Sequence, residues 1–134
     1  MKKVLLIVLG ILMLAIPTMA QLTTQTKVLT WTSKGDDGNV GTASAYDLRY
    51  STDSSALVAW AVLPPASVIK ATGLPIPMVA GTTQTFTIAG LFEGSTYFFA
   101  IKSVDEMGNW SGISNILKVT ILDTTPPAAI TDLR

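Results

Sequence analysis

The sequence has 134 residues, with 9 basic and 9 acidic side chains, no cysteine and no histidine. That length suffices for one domain, and without Cys no disulfide is available, so the fold rests on its apolar core alone. Lacking both His and Cys, the chain has no usual general base, thiol nucleophile or zinc ligand, and its balanced charge gives no electrostatic pull toward nucleic acid or anionic lipid.

In chain order, Met1-Lys2-Lys3 is a positive start, Val4 to Ile16 is an apolar run broken by Gly10, and Pro17-Thr18-Met19-Ala20 puts small residues where a signal peptidase reads. Residues 1–20 are expected to be a signal peptide cleaved after Ala20. The run is well short of the ~20 apolar residues that cross a bilayer as a helix, so no stable membrane span is expected. No Cys follows it to carry a lipid. Without Lys2 and Lys3 the balance becomes 7 basic against 9 acidic residues.

Beyond Gln21 the chain alternates short β-branched and aromatic stretches with Gly, Pro, Asp and Asn clusters, which predicts strands and turns rather than helices. Lys27 to Ser33 has Leu29 and Trp31 on one face and Thr30 and Thr32 on the other. Gly35 to Gly41 is a loop. Ala45 to Ser51 points Tyr46, Leu48 and Tyr50 inward, with Asp47 and Arg49 facing water. Ala56 to Leu63 is apolar enough for a short strand around Trp60, its Ala content keeping one helical turn as the alternative. Prolines 64, 65, 75 and 77 make Pro64 to Gly81 an irregular connection. Thr83 to Ala89 turns Phe86 and Ile88 inward beneath a Thr row. Thr96 to Val104, with Tyr97, Phe99 and Ile101 on one face, is the most strand-like segment. Asp105 to Gly112 is a second tip loop, and Ser114 to Leu122 alternates through Leu117, Val119 and Ile121. Six or so antiparallel strands, each with one apolar face, close best as two packed sheets: an all-β, two-sheet antiparallel sandwich.

Four stretches carry a family resemblance: Leu29-Thr30-Trp31 with Gly35-Asp36-Asp37-Gly38; Tyr46-Asp47-Leu48-Arg49-Tyr50; Gly90-Leu91-Phe92-Glu93-Gly94-Ser95-Thr96-Tyr97-Phe98-Phe99; and Asp105-Glu106-Met107-Gly108-Asn109-Trp110-Ser111 running into Ser114-Asn115. Together they resemble a fibronectin type III domain of the kind found in tandem in bacterial secreted proteins. The resemblance implies an immunoglobulin-like sandwich over residues 21–122, with Trp31 as a core indole that both sheets pack against. It also implies a structural core of Leu29, Trp31, Tyr46, Leu48, Tyr50, Leu91, Tyr97, Phe99 and Ile101. Tyr97, six residues after Leu91, resembles the tyrosine that reaches back to the backbone across a corner. Residues 123–134, Asp123-Thr124-Thr125-Pro126-Pro127 onward, resemble a linker and the first strand of a following module. Too few residues precede Lys27 for the family's complete first strand. The Leu29 strand is therefore expected to be an open edge able to accept a strand from another chain, with Ala129 to Leu133 as the spare candidate.

No cofactor or metal is expected. Asp36, Asp37 and Asn39 lack EF-hand spacing and suit a solvated turn, and the adjacent acids of Asp36-Asp37 and Asp105-Glu106 are not an opposed hydrolytic pair. The expected function is that of a non-catalytic secreted or cell-surface module that spaces, displays or adheres to a protein or glycan. The alternative is a carbohydrate-binding accessory module of a secreted polysaccharide-degrading enzyme, resting on Trp60 and Trp110 as possible partner contacts.

Overall fold

The computed structural model describes residues 22–60 and 62–134; the expected signal peptide, residues 1–20, lies outside them. The described residues form strands β1 (Thr24–Thr32), β2 (Ala45–Ser51), β3 (Ile69–Lys70), β4 (Thr83–Phe92), β5 (Thr96–Val104) and β6 (Leu117–Thr120), with one short helix α1 (Ser54–Ala59). All pairings are antiparallel, in a two-stranded sheet β1-β4 and a four-stranded sheet in the order β3-β2-β5-β6. This is the expected two-sheet sandwich.

The alternation read from the sequence explains the closure. Leu29 of β1 and Ile88 and Leu91 of β4 meet Leu48 of β2 and Tyr97 and Phe99 of β5, with Ala71 and Ile121 completing the cluster. Leu91 is fully enclosed. Tyr50, Phe86 and Ile101 pack against this core while half-buried. Tyr50 stacks on Phe99 with ring centroids 5.7 Å apart, and burial, with Tyr97 adjoining, pushes its phenol pKa up. At the β4–β5 corner the Phe92 N–H donates to the Tyr97 hydroxyl oxygen at 3.1 Å, while Gly94, with φ 74°, makes the turn that a side chain would strain.

Four expectations need correction. Trp31 shares the inward face of Leu29 but is half-buried rather than enclosed, because among the described residues no strand flanks β1 on the side away from β4. Its ring instead meets Tyr46 edge-on at 5.3 Å. Asp47 is buried, not water-facing. Arg49 grips it through Nε and Nη2 at 3.0 and 2.9 Å, and the outer face of β2 and β5 lies beneath a second apolar cluster of Leu57, Trp60 and Ala100. The stretch from Ala56 opens as helix, not strand, because Asp53 caps α1 by accepting from the Ser55 N–H at 2.9 Å. Leu57 and Trp60 of that segment then cover the sheet. Finally, β6 is shorter than Ser114 to Leu122: the Ser114 and Ser111 N–H groups still donate to the Ile101 and Ser103 carbonyls, but the return bonds, from the Ile101 N–H at 3.1 Å and the Ser103 N–H at 3.0 Å, go to the serine Oγ atoms rather than to carbonyls.

Gln84 supplies a polar core contact that alternation alone did not reveal. Its Oε1 accepts from the Tyr46 hydroxyl (2.7 Å), the Ser33 hydroxyl (2.6 Å) and the Met78 N–H (3.1 Å), and its Nε2 donates to the Ile76 carbonyl at 2.9 Å. One buried amide thereby ties β1, β2 and β4 to the Pro-rich connection. Leu91→Ala is expected to cost ~2–5 kcal/mol, a large part of the ~5–15 kcal/mol that holds a domain. Gln84→Leu, which removes the acceptor of the Ser33 hydroxyl and the Met78 N–H and leaves the Tyr46 hydroxyl only Ser33 Oγ at 3.1 Å, is expected to cost ~1–3 kcal/mol. Urea unfolding measures both, and an unchanged midpoint in either variant contradicts the corresponding assignment.

Candidate interaction surface

The segments before β1 and after β6 meet at one end of the sandwich, and Glu93 joins them. Its carboxylate accepts from the Thr23 hydroxyl (2.6 Å) and Gln25 Nε2 (2.7 Å) on the incoming side, and from the Thr124 (2.9 Å) and Thr125 (2.8 Å) hydroxyls on the outgoing side. These donors, Thr23 foremost, hold its pKa down to about 2 from the ordinary 4.5. The opposite end, roughly 25 Å away at ~3.3 Å per strand residue, carries the loops around Asp36 and Trp110.

That far end is shaped by Asp105 and by an open groove. Asp105 accepts from the Met107 N–H (2.9 Å), the Asn109 N–H (2.8 Å) and Asn109 Nδ2 (2.7 Å), which fixes the tip loop and, led by the Asn109 side chain, lowers the Asp105 pKa. Gly108, at φ 87°, permits the turn. A groove of about 740 Å³ lies between β1 and the β5–β6 side, bordered by Trp31, Lys34, Tyr46, Lys102, Asn109 and Trp110. A smaller recess of about 170 Å³ beside it is lined by Leu29, Leu48, Phe99 and Leu117. The Trp31 indole N–H is enclosed there without a hydrogen-bond partner.

The two tryptophans expected as partner contacts are placed differently. Trp110 is 52% exposed on the groove rim, held by a bridge to Val104. Trp60 is 4% exposed beneath the Lys102 ammonium, 4.6 Å from the ring centroid, and the Arg49 guanidinium, 5.1 Å away; its face serves cation–π packing and no partner can stack on it. Asp36, Asp37 and Asn39 do not converge: Asp36 Oδ1 accepts from the Asp37 N–H at 3.0 Å and Asn39 Oδ1 from Lys34 Nζ at 3.1 Å. No group of three or more His, Cys, Asp or Glu suited to a metal ion occurs among the described residues. No helix of the described residues is long and apolar enough to cross a membrane. Sequence reasoning missed Lys34, which gave no signal of its own, and named Asn109 only as part of the tip-loop stretch; only the fold brings both beside the groove.

The fold and this surface define a small antiparallel β-sandwich module. No family model and no solved structure matches the chain. It is similar to part of endoglucanase B of Cellulomonas fimi, 28% identical over 115 residues that cover 86% of this chain and 9% of that protein. It is also similar to part of calcium-activated chloride channel regulator 1 of Homo sapiens, 37% identical over 105 residues that cover 74% of this chain and 11% of the regulator. For the Mus musculus regulator the figures are 34% over 113 residues, 74% and 12%. The chain thus spans about a tenth of the length of these relatives, each of which carries the matching stretch within a far longer polypeptide.

The Glu93 clasp gives a pH prediction. The carboxyl's folded pKa, about 2, lies below its ordinary 4.5; its contribution to stability is therefore complete above pH 4.5 and is lost as pH falls through about 2. Glu93→Gln should melt below the parent protein at pH 7, and the gap between the two melting temperatures should shrink from pH 4.5 to pH 2. A gap that is constant with pH would contradict the clasp.

Proposed function

We propose that this chain is a non-catalytic extracellular module of the fibronectin type III kind within a secreted or surface multidomain protein, one that acts as a spacer or displays its far-end loops to a protein partner. In this reading residues 1–20 are a signal peptide, 21–122 the module, and 123–134 a linker with the start of a following module. The observation that carries it is the gathering of incoming and outgoing segments at Glu93, which leaves the groove and Trp110 unobstructed at the opposite end. The four resemblance stretches and the likeness to about a tenth of two differently named long proteins support a module that recurs in different contexts. The lack of any His or Cys supports a binding rather than a catalytic role.

A second reading, a carbohydrate-binding accessory module, rests on Trp110 at the groove rim and on the likeness to a stretch of an endoglucanase. The burial of Trp60 removes one of the two aromatic platforms that reading relied upon. Affinity electrophoresis on soluble β-glucans separates the two. A display module for protein partners migrates unretarded; retardation that Trp110→Ala abolishes, at unchanged thermal stability, establishes the carbohydrate reading instead.

A further inference from the structure

The outgoing chain keeps its backbone ties to the sandwich only as far as Ile121, whose carbonyl accepts from the Gly94 N–H and whose N–H donates to the Ser95 carbonyl, each at 2.8 Å. Beyond Ile121 no backbone-to-backbone hydrogen bond holds the segment among the described residues, and Leu122, 69% exposed, adds little apolar contact. What remains runs through side chains. Gln25 Nε2 donates to the Leu122 carbonyl at 3.1 Å, and the Thr124 and Thr125 hydroxyls donate to Glu93. Each carboxylate oxygen bridges the two segments: Oε1 accepts from Gln25 and Thr124, and Oε2 from Thr23 and Thr125. Only a group with two acceptor oxygens can take all four donors, and bonds to an ionised acceptor are the stronger kind. Glu93 is itself fixed, its N–H donating to the Thr23 carbonyl at 3.1 Å, and Asp123 Oδ1, accepting from the Thr125 N–H at 2.9 Å, shapes the turn that carries the two threonines.

We infer that Glu93 is a latch that sets the direction in which the chain leaves the sandwich, making residues 122–125 part of the rigid body instead of a free tether. Thr125 and Pro126 each precede a proline and are restricted to extended backbone, while the rings of Pro126 and Pro127 fix their own φ. A direction set at Thr125 is therefore carried on through Pro127, roughly 9 Å at ~3.1 Å per residue. With the latch open, the same stiff piece swivels about Leu122 and Asp123. The inference deepens the spacer reading and rests on it: a set exit direction matters where residues 126 onward lead into another module, which the closed latch holds at one angle.

Backbone amide relaxation of the 134-residue chain, measured by NMR, tests this. Order parameters at residues 122–125 should match those of β6, near the ~0.85 of rigid backbone, and Glu93→Ala should drop them below ~0.6 while β2 and β5 stay unchanged. Because Glu93 also holds the incoming segment, a second variant separates the two roles. Thr124→Val combined with Thr125→Val leaves Thr23 and Gln25 on the carboxylate, and should loosen residues 122–125 by a similar amount with the start of β1 undisturbed. Residues 122–125 that are already flexible in the parent chain, or that stay rigid in either variant, overturn the latch. Neither result decides the spacer reading, which partner binding and glycan retardation test separately.

Discussion

The contact on which the rest of the molecule depends is the closure of a narrow sheet over a wide one. Leu29, Ile88 and Leu91 reach down from two strands onto Leu48, Tyr97 and Phe99 of a sheet twice as broad. With no disulfide anywhere in the chain, this apolar layer and the Gln84 hydrogen bonds beside it hold the sheets together. The mismatch in width also creates the groove. Two strands cannot roof four, and the uncovered side falls at β1, which among the described residues is flanked by β4 alone.

The wide sheet resolves its own outer face by a different device. Trp60 lies against it between two cations, and the Arg49 fork neutralises the buried Asp47 carboxylate, so charged side chains are interleaved with apolar ones under a six-residue helix. Burying Asp47 alone would be costly; the bidentate partner and the nearby Lys70 ammonium, 4.0 Å away, make it tolerable. This face is therefore structural, and the residues free for recognition are those at the loop end.

Much of the architecture was legible in the sequence because one-sided burial writes itself as alternation. Leu29 with Trp31, Tyr46 with Leu48, and Tyr97 with Phe99 all mark their inward faces in this way. Asp47 misled, since a period of two assigns every charged residue to water and takes no account of a second layer. The signal was nevertheless present: Tyr97 to Ile101 is continuously apolar, as a strand covered on both faces should be, and Phe98 and Ala100 are the residues that α1 and Trp60 cover. The helix was foreshadowed by Asp53, whose capping role depends on a hydrogen bond two residues ahead. The groove was legible only in part. The expectation that the Leu29 strand is an open edge came from the few residues before Lys27, but the meeting of Lys34, Asn109 and Trp110 beside Trp31 depends on loops whose course no periodicity encodes.

The placement of both chain segments beside Glu93 has a mechanical consequence. Tension applied through residues 23 and 125 would act first on the terminal pairs Thr24 with Phe92 and Thr120 with Thr96. The ladders would then open one rung at a time like a zipper instead of sharing the load in shear. Resistance to pulling would be set by the clasp and the first few rungs rather than by the whole core, so the domain should yield at low force despite its enclosed interior.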